Sequence, residues 1–330
     1  MYSDEDIDSA VASGVVSADA AAAFRAHVSG LRSTPAVDEE HFRLVTGFND
    51  IFVVIASVLL LTSVGWIGTT VNYWIGALAI SATAWGLAEF FVRKRHMALP
   101  AIVLLIAFVG GVFAAGMFLF DGVGARVAGA SFAAAVSAWL HWRRFHVPIT
   151  VAAGSGTIVA GAIAVLVLLV PAAKNWISLI LFAAGLAVFA FALWWDASDI
   201  KRETRRSDIA FWLHLLAAPL LVDPVFKAVR MFSDQTTMTQ ALLVAAMYVV
   251  IALVSLAVDR RALMVSALGY VLYAFTSLLQ QTGFVSLGFA LTALVIGSAL
   301  LLLSAFWQRS RAIALQWLPP AILARLPPAR

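Results

Sequence analysis

The strongest constraint on this chain is a series of uninterrupted apolar runs, each about 20 residues long, separated by short loops rich in Arg and Lys. A helix of about 20 apolar residues matches the hydrocarbon core of a bilayer. Inside that core every backbone N–H and C=O must be satisfied within the structure, which leaves α-helices or closed barrels. These runs are continuous rather than alternating, so they predict helices. From Asn49 onward ten segments can be placed, at 50–68, 71–92, 98–120, 124–142, 148–171, 174–195, 208–228, 238–257, 262–281 and 284–307. The fold class expected is all-α: a polytopic transmembrane helical bundle of about ten spanning helices arranged as five hairpins. With 62% of its residues hydrophobic and only 12% charged, the chain excludes a purely soluble globular domain.

Charge placement supports that count. With the amino terminus on the cytoplasmic side, eighteen of the 22 Lys and Arg residues fall in cytoplasmic segments, and only Arg126, Lys174, Lys227 and Arg230 fall opposite. Such a bias is the positive-inside pattern, and one missed helix would scramble it. The expected location is the bacterial cytoplasmic (inner) membrane, with both termini cytoplasmic. Tryptophans fall near the segment ends, with Trp66, Trp74 and Trp176 outside and Trp139, Trp142, Trp194, Trp195, Trp212 and Trp307 inside. They predict two interfacial belts. A net charge of +4 in a soluble protein would suggest nucleic acid; here membrane orientation accounts for it, and no nucleic-acid partner is expected. Cysteine is absent, which excludes a disulfide framework, a thiolate metal site, an iron–sulfur cluster and a cysteine nucleophile. No cofactor and no metal site is expected.

The chain divides into a cytoplasmic helical hairpin and linker at 1–46, a transmembrane domain at 47–307 and a cytoplasmic interfacial tail at 308–330. The first segment holds eight of the 18 acids. Ser3 and Asp6 have capping-box spacing, Gly14 reads as a helix stop and Ser17 as the cap of a second helix. A linker around Ser33-Thr34-Pro35 follows. The opening acids and the lack of a basic start before an apolar core make a cleavable signal peptide unexpected. The basic clusters near 93, 143, 201, 260 and 309 recur at similar intervals, either as a product of alternating short loops or as a trace of duplication. The opening Glu5-Asp-Ile-Asp-Ser-Ala-Val-Ala-Ser-Gly-Val-Val-Ser-Ala-Asp-Ala20, a helix–Gly–helix start, resembles that of bacterial predicted membrane proteins of unknown function with a short cytoplasmic hairpin ahead of a many-spanning bundle. That resemblance implies the general layout and carries no functional residues.

Ionisable groups at the centre of a spanning helix cost about 2.5–3.5 kcal/mol each on insertion scales, so the few present are weighed one by one. His214 and Asp223 lie in the seventh segment, about 9 Å and about 22 Å along it from Asp208. Pro219 and Pro224 free the carbonyls of Leu215 and Leu220, and interrupted helices beside ionisable groups build many transporter sites. The competing reading places Asp223 at the outer headgroup level and His214 as an interfacial histidine. In the ninth segment Ser266, Tyr270, Tyr273, Ser277 and Gln281 recur at helical spacing on one face. They read either as a ligand-lining wall or as interhelical hydrogen-bonding groups. Glu89 reads as an i,i+4 partner of Arg93, and Asp50 as a group suited to the start of the first spanning helix. Asp196, Asp199, Asp208 and Asp259 border basic loops and read as solvated. His96, His141 and His146 lie near inner ends and lack metal-ligand spacing. Glycines at 110, 111, 116, 129, 154, 156 and 161 predict close helix packing.

No phosphate loop, nucleophile elbow, zincin pair or triad grouping occurs in the sequence. The leading functional expectation is movement of a small solute, ion or proton along a pathway lined by the seventh and ninth segments. His214 and Asp223 would be its proton or cation sites, and Tyr270, Tyr273, Ser277 and Gln281 its wall. The second is a non-transporting scaffold or sensor that meets a cytoplasmic protein through residues 1–46. The third is an intramembrane lipid-modifying enzyme. The lipid bilayer is the one partner common to all three.

Overall fold

The computed structural model describes residues 4–32, 48–118, 121–199, 204–230, 238–281 and 288–316, with 319 and 326. Among them every regular element is helical. The chain forms two units, Met1–Leu44 and Val45–Arg330.

The first unit contains Asp4–Ala12 (α1) and Ala18–Arg32 (α2). After α1 the chain turns at Gly14, where φ of +72° suits a residue without Cβ. Ser17 starts α2, its Oγ accepting the Ala20 N–H at 3.2 Å. Arg25 Nη2 pairs with Asp8 Oδ1 at 2.7 Å, joining the helices by an exposed ion pair. Val15 and Phe24 are exposed apolar side chains on this unit. Ser3, and with it the expected capping box, and the Ser33-Thr34-Pro35 linker lie outside the described residues.

The second unit runs through Phe48–Thr69 (α3), Tyr73–Phe91 (α4), Ala98–Gly116 (α5), Val123–Phe145 (α6) and Ile149–Leu169 (α7). A 3-10 turn at Pro171–Trp176 leads into Ile177–Ala197 (α8), followed by Arg205–Arg230 (α9), Met238–Val258 (α10), Ala262–Gln281 (α11), Gly288–Ala305 (α12) and Trp307–Leu315 (α13). Seven of these, α3 to α9, are long and apolar enough to cross a membrane. The chain is a multi-pass integral membrane protein. The sequence predicts about ten spans, and the difference lies in α10, α11 and α12. Their described apolar stretches are Leu242–Val258, Leu263–Tyr273 and Ala293–Ala305, the last meeting α13 at 78°.

Consecutive helices of this unit are in contact, and α9 additionally touches α7 and α11. Half of the most apolar stretch of α9 is buried, against 6–39% for the other six spans. It is the most enclosed of the seven spans. Small residues bring the earlier helices close. A Cβ on Gly111 of α5 would lie 2.7 Å from the Ala77 carbonyl oxygen of α4 and 2.3 Å from Ser81 Oγ. Ser81 uses that approach to donate across the interface to the Phe108 carbonyl at 3.0 Å.

Three of the basic loops share one backbone device. His96, His146 and Asp259 follow α4, α6 and α10 in the left-handed region, with φ of 53°, 52° and 60°. A left-handed residue ends a helix by turning the chain away from its axis. In each loop the next residue, Met97, Val147 or Arg260, is driven into the interior.

Candidate functional site

The principal candidate site assembles where the last turn of α8, the first half of α9 and the α10–α11 loop meet. Asp196 closes α8, Ser207 and His214 lie on α9, and Arg260 follows the left-handed Asp259. His214 is completely buried, and Asp196 and Arg260 are 5% and 3% exposed. His214 Nε2 lies 2.8 Å from Asp196 Oδ2. Arg260 Nη2 donates to Asp196 Oδ1 at 2.6 Å and Arg260 Nε to Oδ2 at 3.4 Å. The same Nη2 reaches the Ser207 carbonyl at 3.1 Å and its Oγ at 3.2 Å. Ser255 Oγ in turn donates to the Arg260 carbonyl, so the residue is held at both backbone and guanidinium.

The chemistry of this arrangement follows from its charges. A buried carboxylate alone carries a large desolvation cost, and a guanidinium against both its oxygens offsets it. With Asp196 and Arg260 balancing each other, His214 is a third ionisable group held in hydrogen-bond contact with that pair. Phe189 of α8 packs edge-on against its ring, with centroids 5.2 Å apart, and shields it from water.

The neighbouring residue of the same loop points elsewhere. Asp259 Oδ1 accepts from Trp307 Nε1 at 2.7 Å and lies 3.8 Å from Arg311 Nε. Arg311, 1% exposed, also donates to the Leu256 carbonyl at 3.1 Å. Arg261 stacks on the Trp307 ring with its guanidinium carbon 4.7 Å from the centroid. Three consecutive residues thus tie α8 and α9 on one side to α13 on the other.

A second polar group lies further along α9. Asp223 accepts from the Tyr270 hydroxyl of α11 and pairs with Lys227 at 2.7 Å. Tyr270 stacks on Phe226 at 4.7 Å. Asp223 is 31% exposed, so this pair sits at an edge of the bundle rather than in its centre.

No family model matches the chain, and no curated protein or solved structure is similar to it. The site must therefore be interpreted from its own geometry.

Of the residues singled out in the sequence, α9 holds His214 and Asp223 in one unbroken helix that passes through Pro219 and Pro224. They are nine residues, or about 13 Å, apart and have separate partners. Tyr270 is brought to Asp223. Tyr273 is half-exposed. Ser277 and Gln281 lie on α11, with their side chains outside the described residues. Glu89 pairs with Arg93 at 3.2 Å as its spacing implies, and also takes both Arg144 Nε and Nη2, at 2.7 and 3.0 Å. The expectation that Asp196, Asp199 and Asp259 are solvated is corrected, since all three are buried. Each lies at or just past a helix end, where another part of the chain supplies a cation or donor. Trp307, read as an interfacial anchor, is likewise buried, and its indole N–H is spent on Asp259. Asp196 and Arg260 were missed as site residues; the signal available was an acid directly after the Trp194-Trp195 pair and an Asp-Arg pair ending an apolar run.

His141 on α6, read from the sequence as lying near an inner end and lacking metal-ligand spacing, has a second buried environment. It is fully buried, with Nδ1 3.2 Å from Thr150 Oγ1 of α7. Phe145, Phe108 and Trp85 surround its ring at 4.6, 5.9 and 6.2 Å. Its Nε2 has no hydrogen-bond partner among the described residues.

Proposed function

We propose that the protein moves protons, or a small solute coupled to protons, along the seam between α9 and α11, in a bacterial inner membrane with its basic loops facing the cytoplasm. The observation that carries this reading is His214, wholly buried on the most enclosed span and hydrogen-bonded to an Asp196 already neutralised by Arg260. An ionisable group held at such a place in a membrane protein is a functional candidate by default. His214 is the inner proton relay of this reading. Asp223 with Tyr270 is the outer station, nearer the opposite end of the same helix. Tyr273, Ser277 and Gln281 extend the wall along α11. In this reading, transfer over the roughly 13 Å between the two stations proceeds through intervening water or a solute.

The test is proton flux into liposomes that contain the purified protein and a trapped pH-sensitive dye, driven by a potassium diffusion potential. The expected result is flux above that of empty liposomes, abolished in His214→Phe and strongly reduced in Asp223→Asn while both variants elute as folded protein. Wild-type flux equal to that of empty liposomes, with and without a panel of small solutes, overturns the reading.

The exposed Val15 and Phe24 on the acidic α1–α2 unit favour a second reading, in which residues 1–46 dock a cytoplasmic protein. Deleting residues 1–46 separates the two: flux survives the deletion in the first reading, while the cellular phenotype is lost in the second.

A further inference from the structure

Where α4 and α6 end, the chain repeats one arrangement. A basic run, Arg93-Lys94-Arg95 or Arg143-Arg144, precedes the left-handed His96 or His146 and then the buried Met97 or Val147. One acid joins the two ends. Glu89 of α4 accepts from Arg93 at 3.2 Å and from Nε and Nη2 of Arg144 at 2.7 and 3.0 Å. Five cations therefore share one carboxylate, and among the described residues no carboxylate pairs with Lys94, Arg95 or Arg143. All three are exposed. We propose that this joint face of the α4 and α6 ends binds the headgroup of an anionic phospholipid, with Lys94, Arg95 and Arg143 as its cations.

Electrostatics calls for an anion here. Lys94 Nζ and the guanidinium carbon of Arg95 lie 6.0 and 5.6 Å from the centroid of the same Phe90 ring, with Arg93 beside them in the chain. Like charges held this close repel, and Glu89 offsets only part of that cost. Arg143 lies 5.3 Å from the centroid of Trp139. Stacking engages one face of a guanidinium and leaves its edge N–H groups for an oxygen acceptor.

Position selects a lipid as the source of that anion. Phe90 and Trp139 are 43% and 56% exposed, within two turns of the ends of helices long and apolar enough to cross a membrane. An exposed tryptophan at the end of a spanning helix sits at the headgroup level, where a lipid phosphate is the anion at hand. Basic clusters flanking spanning helices are where anionic headgroups bind. Other basic helix ends spend cations inside the protein, Arg260 on Asp196 and Arg311 on Asp259. None of the residues of this face belongs to α9 or α11, so lipid binding here survives if the protein moves no protons.

The experiment is native mass spectrometry of the full chain in detergent, incubated with equimolar phosphatidylglycerol and phosphatidylcholine, with inorganic phosphate added in a parallel arm. The expected result is a preference for phosphatidylglycerol of at least about fivefold, the ratio one basic residue gives at an anionic surface, unchanged by phosphate. Lys94→Gln with Arg95→Gln, and separately Arg143→Gln, should each lower the preference, and the three together should bring the two lipids to parity. Arg309, exposed and stacked on Phe306 at 5.7 Å, is the control, and Arg309→Gln should leave the preference intact. Parity in the wild type overturns the proposal. So does a preference kept by the triple variant or untouched by substitution at either helix end. An equal loss in Arg309→Gln, which would mark bulk charge, and full competition by phosphate, which would mark a free-anion site, overturn it as well.

Discussion

Two histidines, His141 on α6 and His214 on α9, are both completely buried near basic helix ends, yet their surroundings differ in kind. His141 sits in a box of aromatic rings with one hydroxyl neighbour, in a part of the bundle that packs through small residues. His214 sits in an ionic lattice assembled from three separate elements. Helices α3 to α7 are held by close backbone approach, so their specificity lies in shape. Helices α8 to α13 add buried charge compensation to their apolar packing, so part of their specificity lies in which residue neutralises which. The first kind of interface tolerates polar change at its rim and resists added volume. The second tolerates some change in volume and resists the loss of any single partner.

The largest expected effect comes from breaking the lattice. Arg260→Leu leaves Asp196 buried without its guanidinium and should cost about 3–5 kcal/mol of stability, the range for removing one member of a buried ion pair. Thermal unfolding in nanodiscs measures it, and adding Asp196→Asn should recover much of the loss. Recovery is the sharper result, because lost packing alone would not be repaired by a second substitution. Next is Gly111→Ala in the shape-held half, where the new methyl group meets the Ala77 carbonyl and Ser81. Its expected cost is about 1–3 kcal/mol from overpacking, checked by the same unfolding measurement.

Exchanging each histidine for phenylalanine compares the halves directly. His141→Phe keeps an aromatic ring in an aromatic box and forfeits one hydrogen bond, a loss of about 0.5–1.5 kcal/mol. His214→Phe removes a donor from a buried carboxylate and should cost more. Equal costs would erase the distinction drawn between the two regions. The smallest effect is expected at Glu89 and Arg144, which pair at the surface. Arg144→Gln should change stability less than any substitution above, and the difference should shrink as salt is raised from low to physiological concentration.

Much of the architecture was legible in the sequence, for physical reasons that also mark where legibility ends. Hydropathy reports how deep a segment lies, and it placed α3 to α9 to within a few residues, apart from α5, which ends at Gly116 rather than near 120. Local chemistry reports helix ends, so Gly14, Ser17 and the Glu89–Arg93 pair could be read from spacing alone. Neither reports which helices are neighbours. Asp196 looked solvated because it borders a basic loop, but its partner Arg260 comes from 64 residues further on. Tyr270 and Asp223 are separated by 47 residues and could be paired only once α9 and α11 were seen side by side. The ninth segment's stripe was read either as a ligand-lining wall or as interhelical hydrogen-bonding groups, and of it Tyr270 meets Asp223 of α9.

The reach from Asp196 to Arg260 also has a meaning in time. A membrane chain is made from its amino terminus, and α3 to α9 exist before the α10–α11 loop is synthesised. During that interval Asp196 and His214 are present without the guanidinium that balances them, so the nascent bundle must leave that end open to water or to a chaperone. The arrival of Asp259, Arg260 and Arg261 closes it, and α13 then fastens the loop from the other side. A chain terminated after Leu256 carries every one of the seven long spans and still lacks the residue that completes their central charge pair. Quality control that degrades such a fragment would be reading one missing arginine.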